Sequence, residues 1–408
     1  MMPALHPRRT KAEAARRRTG TGPSLASRVV PAERLDDLQP AWETCRTAAP
    51  SPQWRQRLEL VRDWTPGRPG AVVTEADGEV VGLAPFTRSR RPVVWHVRLR
   101  ARRHPVLRAS LDTVELVGGA LAVPAAGAVQ DHLWGAFLDA AREADVVRLT
   151  GVPEGGPLDD LVRRPRTRPR GWLRFTDHEP EFHHRAELAD DVATYLARQV
   201  GPRSRRYLER DVRRITRDAV GARVEVFTEG VDVPRFLALV ARVERQSWHA
   251  RRHATPVCRP GTGPRLRAWA DLGLLRSYVL SVGDEPIAFL LAYAGDGCLH
   301  VAKMGYAECW ARRSPGKVLL WLVLDDIHRH PHYSSCDLGP GRWPFKDVFA
   351  GDGFPVRNTT YVRLRPRALA VVVPPLVWQR LRSTAACAVA GSARGTAVRQ
   401  WIRRNLAR

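Results

Sequence analysis

Two blocks of this sequence repeat the same order of predicted elements on either side of a segment rich in proline and glycine. In the first block, β-prone runs at 71–74 and 80–84 flank an Asp-Gly dipeptide at 77–78, which favours a tight hairpin turn. A predicted helix at 129–143 and a short strand at 146–149 follow. Antiparallel strands followed by a helix and a further strand are typical of a mixed sheet with helices packed on its faces.

The second block repeats this order with additional strands. Its predicted elements are a hairpin at 278–282 and 287–293, a strand at 298–304, a helix at 315–328, and strands at 333–338 and 359–364. The blocks share little sequence identity, so the duplication is inferred from the order of elements alone. We predict an α/β (α+β) protein with two tandem, duplicated folds, each a mixed and mostly antiparallel sheet flanked by helices.

The chain of 408 residues is longer than one ordinary domain, and its 44% of hydrophobic residues is enough to build two cores. Changes in composition set the predicted boundaries. The predicted segments are a disordered basic tail at 1–27, a first domain at 28–165, a linker at 166–180, a second domain at 181–365 and a basic helical extension at 366–408.

The formal net charge of +24 comes mainly from arginine. A solvated basic surface would explain it, and so would attraction to the phosphates of a cofactor, to nucleic acid or to an anionic membrane. An arginine-rich helix predicted at 204–219 leaves the same alternatives open, and the C-terminal extension could lie at a membrane interface.

The six cysteines are widely spaced and form no C-x-x-C pair, which is typical of a reducing compartment. No stretch reaches the roughly 18 apolar residues of a membrane span. The basic residues near the N-terminus are not followed by the apolar core of a secretory signal. We therefore predict a cytoplasmic protein without a transmembrane segment, although peripheral contact with a membrane is compatible with the charge.

The most informative segment is 310–319. Ser314 is a favourable N-cap residue, and Pro315 fits the first helical position, where its missing N–H costs nothing. The start of this helix would leave the N–H groups of 316–319 free at the positive end of the helix dipole, an arrangement that binds phosphate oxygens. A plain helix start without a ligand is the alternative interpretation.

The residues predicted to contact a phosphate-bearing ligand surround this helix start. Gly316 lets the main chain approach closely, and the guanidinium groups of Arg312 and Arg313 add charge. The full predicted set is Arg312, Arg313, Ser314, Gly316, Lys317, Val318 and Leu319.

Three residues are candidates for acid–base or electrostatic catalysis. Glu244 lies on the apolar face of a predicted helix, where a carboxylate needs a partner; an ion pair with an arginine of 204–219 is the structural alternative. Asp337 ends a strand, where it could border a cleft or cap a turn. Lys346 follows two aromatic residues and could stabilise an oxyanion, bind a carboxylate or be a surface charge.

No metal site is predicted from the histidines. His249 and His253 are spaced i, i+4 but lack the glutamate of the zinc-protease pattern. His328, His330 and His332 alternate beside a proline without further ligands.

The loop Arg313-x-x-Gly316-x-Val318 resembles the R/Q-x-x-G-x-G/A acyl-coenzyme A loop of the GNAT acetyltransferase superfamily. Val318 stands where that loop has a small residue, so its side chain could crowd a pyrophosphate. The first block has no arginine at the corresponding place, 124–127, and no coenzyme is expected there.

A wider similarity covers about residues 30–365. It resembles the CelD-like (cellulose-biosynthesis-protein) acetyltransferases, which are relatives of the FemAB-type aminoacyltransferases and carry two GNAT folds in tandem. The strings that carry it are 303–306, 314–316, 337–341 and 344–346.

This resemblance implies direct transfer of an acyl group from acetyl-coenzyme A, or another acyl-coenzyme A, to an amine or hydroxyl, without a metal. The acceptor would be a small molecule or a polysaccharide. One alternative is a FemAB-like aminoacyltransferase that uses aminoacyl-tRNA. Another is a non-catalytic basic module that binds nucleic acid or a membrane.

Overall fold

The structure is a computed structural model. It describes residues 24–49, 54–64, 67–99, 102–123, 127–164, 169–177, 179–188, 191–217, 221–247, 256–341, 343–351, 353–375 and 377. The predicted tail up to residue 23, the region around His249 and His253, and the extension beyond 377 lie outside these residues.

The chain divides into two compact units. Unit 1 comprises the described residues of 1–150, 155–176 and 359–408, and unit 2 comprises those of 151–154 and 177–358. The strand at 172–176 lies within the segment predicted as a linker.

The elements that begin in unit 1 form a sheet and its flanking helices. The strands are β1 (Leu25–Pro31), β2 (Arg68–Ala76), β3 (Glu79–Leu99), β4 (Arg102–Leu116), β5 (Val146–Pro153) and β6 (Trp172–Thr176). The helices are α1 (Gln39–Ala48), α2 (Leu58–Trp64), α3 (Ala128–Ala140) and α4 (Pro157–Arg163).

Strands β1 to β4 pair antiparallel in sequence order, and β5 pairs parallel to β4 after the crossover through α3. The predicted hairpin turn at 77–78 is confirmed: Asp77 and Gly78 both have positive φ, as a type I′ turn requires. The long hairpin of β3 and β4 was not predicted.

Helices pack on both faces of this sheet. Leu83 and Trp42 share a buried cluster with residues of α1 and α2. Gly82 precedes Leu83 on β3 and therefore faces the opposite side of the sheet. A Cβ at this position would lie 3.3 Å from Leu133 of α3. The unit is therefore a sheet between two helical layers, as predicted for the fold class.

Unit 2 follows the same plan. Its strands are β7 (Glu181–Glu187), β8 (Ala222–Phe227), β9 (Ser277–Val282), β10 (Glu285–Gly295), β11 (Cys298–Tyr306), β12 (Ser335–Pro340) and β13 (Phe354–Arg363), the last of which continues into unit 1 at Thr359. Its helices are α5 (Val192–Gln199), α6 (Pro202–Thr216), α7 (Val233–Arg245), α8 (Thr262–Asp271), α9 (Pro315–His328) and α10 (Pro344–Ala350).

Strands β8 to β11 pair antiparallel in sequence order. After the crossover through α9, β12 pairs parallel to β11, and β7 pairs antiparallel to β12. The predicted bounds of the helix at 315–328 are confirmed. An antiparallel meander, a helix and a parallel strand thus occur in both units, which is the predicted repeat.

Strand β10 forms the centre of the unit, since α7 and α9 both pack on it. Ala288 and Leu290 join the core that contains α9, while Phe289 alternates to the other face. Phe289 lies directly opposite Gly305 of β11, and a Cβ at 305 would lie 2.5 Å from the Phe289 ring. Only glycine fits there without moving the ring.

Replacing Gly305 with alanine should therefore lower the free energy of unfolding by about 1–3 kcal/mol, because the added methyl overpacks a buried contact. Urea denaturation of the full chain measures the change. Gly263→Ala is the control, since a Cβ there meets only Leu237, at an ordinary 3.6 Å, and alanine suits a helix. Equal stabilities of the two variants would contradict the steric argument.

Candidate active site

Strands β11 and β12 pair over three residues and then part. The pairs are Cys298↔Ser335, Leu299↔Cys336 and His300↔Asp337. Beyond them, a cavity of about 730 Å³ lies between 301–306 of β11 and 338–340 of β12. The cavity also reaches the start of α9 and the start of α10.

A bulge in β11 accompanies this separation. Val301 pairs with Ala292 and Lys303 pairs with Leu291, so Ala302 is an extra residue on β11. A bulge bends its strand and increases the local twist. The bend turns β11 away from β12 at the cavity.

The helix start at the cavity differs in detail from the prediction. Ser314 occupies the N-cap position, but its backbone is left-handed, with φ 50°, and its side chain makes no capping hydrogen bond. Its carbonyl accepts the N–H groups of Lys317 at 2.9 Å and Val318 at 3.1 Å. The expectation that all amides of 316–319 are free is therefore wrong for these two.

Gly316 brings the helix start against β11. A Cβ at this position would lie 3.3 Å from Cδ1 of Tyr306 and 3.6 Å from Cε of Met304. Gly316, Tyr306 and Met304 all line the cavity. A longer side chain at 316 would enter the space between the helix and the strand.

The remaining predicted ligand contacts are divided between surface and core. Lys317 is exposed and lines the cavity. Arg312 and Arg313 are exposed, and the Arg313 guanidinium lies 4.9 Å from the centre of the Trp310 ring. Val318 and Leu319 are fully buried in the core, so the Val318 side chain does not crowd the cavity.

Lysine is concentrated at this cavity. Only four of the 66 basic residues of the chain are lysines, and three of them, Lys303, Lys317 and Lys346, line it. The fourth lysine is Lys11, and all the other Lys and Arg positions are arginine. Lysine differs from arginine in presenting a compact ammonium group whose pKa shifts readily when it is buried.

Glu244, predicted as a catalytic carboxylate, is held in a polar network. Its oxygens accept hydrogen bonds from the Lys303 ammonium at 3.0 Å and from the N–H groups of Val257 at 2.8 Å and Cys258 at 3.3 Å. The predicted alternative, a pair with an arginine of 204–219, is wrong because Lys303 is the partner. The network ties α7 to β11 and to the loop before α8.

Asp337 lies at the last pair of β11 and β12, with a side chain that is 16% exposed. It accepts hydrogen bonds from His183 at 2.6 Å, from His300 at 3.1 Å and from the Gly339 N–H at 2.7 Å. Burial alone would raise the pKa of Asp337, but the two imidazoles hold the pKa well below its usual range. The carboxylate is therefore a weak base that orients its neighbours, and its bond to Gly339 is the turn contact foreseen as an alternative.

Lys346 is buried, so the surface-charge interpretation is wrong. Its ammonium donates to the carbonyls of Gly339 at 2.9 Å and Pro340 at 2.6 Å. Burial lowers the pKa of Lys346, while the charges of Asp337 and Glu181 oppose the shift. A cation thus lies at the end of β12, beside the cavity.

Lys346 and Gly316 line one cavity. Asp337 and Glu244 do not line it, but each is one hydrogen bond away, through the lining residues Gly339 and Lys303 respectively. His183 and His300 were not predicted as site residues from the sequence. Neither belongs to a spaced motif, and only the pairing of β7, β12 and β11 makes them neighbours. Adjacent histidines at 183–184 in a β-prone run were the one available signal.

Residues 202–347 match the family described as "Acetyltransferase (GNAT) domain". No curated protein matches the chain. The matched range contains the whole cavity, from α6 to α10. The part of unit 2 that contains the cavity is therefore similar to GNAT acetyltransferases, and this similarity supports an enzymatic role.

Several solved structures resemble the chain. A crystal structure of FemX matches with a TM-score of 0.54 and 12% identity, over 82% of this chain and 98% of that one. A tandem GNAT protein from the clavulanic acid biosynthesis pathway gives 0.48 and 13%, over 84% and 99%. The match to FemX shows a shared fold.

A third structure contains the GCN5-related glucosamine N-acetyltransferase region of a fungal multi-domain GH3 β-N-acetylglucosaminidase. It matches with a TM-score of 0.45 and 13% identity, over 84% of this chain. The present chain spans 38% of the length of that protein.

Three further observations concern the whole of the described chain. Its cysteines, Cys45, Cys258, Cys298, Cys309 and Cys336, are free thiols. None of the described helices is long and apolar enough to cross a membrane. Among the described residues, no group of three or more His, Cys, Asp or Glu side chains is placed to hold a metal ion.

Glu244→Ala should lower the free energy of unfolding by about 3 kcal/mol, because it removes the acceptor of three part-buried hydrogen bonds, one of them from an ammonium. Urea denaturation measures the loss. Glu209→Ala is the control: Glu209 is 44% exposed and pairs with Arg205 at 3.6 Å, so the change should stay within about 0.5 kcal/mol. A Glu244→Ala variant as stable as wild type would exclude the structural role.

Asp337→Asn should destabilise the protein at neutral pH and lose this effect in acid. Because the folded pKa of Asp337 is depressed, its contribution is present above the unfolded carboxyl pKa of about 4 and disappears as pH falls toward the folded value. Denaturation of both proteins from pH 7 to pH 3 measures the difference. The fully exposed Asp284 provides the control variant, Asp284→Asn, which should show no such pH-dependent difference.

Proposed function

We propose that this enzyme transfers an acyl group, in the first instance acetyl, from acyl-coenzyme A to an amine or hydroxyl of a second substrate by direct attack. The observation that carries the proposal is the cavity between the parted strands, with a basic helix start at one end. The resemblance of the loop at 313–318 to an acyl-coenzyme A loop supports the same donor.

The main chain of β11 offers contacts for the pantetheine arm. Residues 301–306 pair with β10 on one side, and their other edge faces the cavity instead of β12. Main-chain N–H and C=O groups on that edge need partners, and the amides of pantetheine supply them.

The start of α9 suits the phosphates of the donor. Gly316 leaves room for close approach, and the ammonium of Lys317 lies at the same rim. The N-terminal end of a 14-residue helix adds a favourable field for anions. Arg312 and Arg313, exposed just before the helix, add further positive charge.

Lys346 suits the stabilisation of negative charge during transfer. Its ammonium is fixed by the carbonyls of Gly339 and Pro340 and lines the cavity. A preorganised cation in a site shielded from water stabilises an oxyanion more strongly than one in bulk solvent. The acceptor is an amine or hydroxyl compound that reaches the cavity from solvent.

A second candidate donor is an aminoacyl-tRNA, and the surface of α6 favours it. Arg206, Arg213 and Arg214 are exposed on this helix, and the guanidinium of Arg210 lies 4.9 Å from the ring centre of the exposed Tyr207. Basic residues beside an exposed aromatic ring suit a nucleic-acid backbone and its bases. Binding of tRNA would then weaken steeply with added salt.

Gly316→Asp should weaken acetyl-coenzyme A binding by about tenfold or more, roughly 1.4 kcal/mol, because it brings both bulk and negative charge to the phosphates. Isothermal titration calorimetry measures the affinity. Gly316→Asn has the same size without the charge, so it should lose less.

Two results would oppose this proposal. Equal affinities of Gly316→Asp and wild type would place the donor elsewhere. Absence of acetyl-coenzyme A binding by the wild type, together with salt-sensitive binding of tRNA, would favour the aminoacyl donor.

A further inference from the structure

Two imidazoles flank the Asp337 carboxylate at the point where β11 and β12 part. His183 approaches Oδ1 through Nε2 at 2.6 Å, and His300 approaches Oδ2 through Nδ1 at 3.1 Å. An ionised carboxylate only accepts hydrogen bonds, so both rings must donate. When the rings are neutral, the proton-accepting atoms are therefore Nδ1 of His183 and Nε2 of His300.

The two histidines differ in accessibility. The His183 side chain is 24% exposed, and its ring stacks on the exposed Phe354 with a centroid distance of 5.1 Å. Among the described residues, Nδ1 of His183 has no hydrogen-bond partner. Nε2 of His300 is buried, and its side chain is 13% exposed. Of the two rings, His183 is therefore the more open to solvent.

The cluster of His183, His300 and Asp337 adjoins the cavity through strands β11 and β12. His300 directly precedes Val301, which lines the cavity. The Gly339 N–H, which donates to Asp337, belongs to another lining residue. The carboxylate therefore connects His183 to the closed end of the space between the strands.

We infer that His183 is the residue that removes the proton from the attacking amine or hydroxyl, and that Asp337 and His300 are positioning residues. This assignment rests on the proposed acyl transfer. Asp337 holds the His183 ring in the tautomer with Nε2 protonated and stabilises the imidazolium that forms. Asp337 is itself a poor base, because three hydrogen-bond donors stabilise its ionised form.

His183 carries one proton from the acceptor to the departing thiolate during the transfer. The nitrogen or oxygen of the acceptor attacks the thioester carbonyl carbon and forms the new C–N or C–O bond, and its proton passes to Nδ1 of His183. The C–S bond then breaks, and its electron pair leaves with the sulfur. The thiolate takes up the proton that His183 releases, which restores the neutral ring.

Several charged and titratable groups belong to the cluster or lie near it. They come from β7, β11, β12 and α10: Glu181, His184, Arg185, Cys298, His300, Asp337, Lys346 and Asp347. The acceptor site thus contains both signs of charge, and the immediate partner of His183 is the anionic Asp337.

Nitrogen-15 NMR of the histidine rings in the full chain tests the assignment without turnover. For the neutral His183 ring, the expected signals are a protonated Nε2 and an unprotonated Nδ1. His300 should show the reverse tautomer. A neutral His183 with the proton on Nδ1 would overturn the inference.

Turnover provides the second test, with thiol release from acetyl-coenzyme A as the signal and hydroxylamine and water as probe acceptors. His183→Gln should lower the rate by about 100-fold or more, as loss of a general base does, while calorimetry should give unchanged affinity for acetyl-coenzyme A. Free imidazole should restore part of the rate in His183→Gly. His132→Gln, on the exposed side of α3, is the matched control and should behave as wild type.

The outcomes separate the two proposals. A wild-type chain that binds acetyl-coenzyme A, with a His183→Gln rate within about threefold of wild type, would reject His183 as the base and leave the donor site intact. A wild-type chain that does not bind acetyl-coenzyme A rejects the proposed donor, and the ring-nitrogen signals then decide the arrangement at Asp337 alone.

Discussion

Three parallel residue pairs hold β11 to β12, and beyond them the two strands separate. This separation creates the cavity on which the proposed chemistry of unit 2 depends. Continued pairing would consume the main-chain groups of 301–306 on the β12 side. The bulge at Ala302 bends β11 where this pairing ends, and the start of α9 packs against Tyr306. One edge of β11 thereby faces a cavity instead of a neighbouring strand.

The charged groups of this region separate into two kinds. Glu244 and Asp337, the two carboxylates, are each bound by three donors, so they fix the positions of other groups. Lys317 and Lys346 line the cavity from the starts of α9 and α10, and neither forms an ion pair among the described salt bridges. The carboxylates are thus bound by other protein groups, whereas the lysine ammonium groups line the cavity. This distribution of charge favours a substrate that carries negative charge.

Much of unit 2 was predictable because local signals and long-range packing agree there. The bounds of α9 follow from Pro315 and the apolar run after it, and the hairpin turns follow from Asp-Gly pairs that tolerate positive φ. The histidine cluster was not predictable: His183 lies 154 residues from Asp337, and no spacing relates them. The left-handed backbone of Ser314 was not predicted either, because a serine before proline at a helix start is usually interpreted as a side-chain cap.

The scarcity of lysine gives the cavity a chemical signature. Reagents that modify primary amines find few targets in this chain: Lys11, Lys303, Lys317, Lys346 and the N-terminus. Reductive methylation with carbon-13 formaldehyde would therefore place most of its spectroscopic labels at a single location, without mutagenesis. Few proteins of this size allow such selective labelling, because lysine is ordinarily scattered over the whole surface.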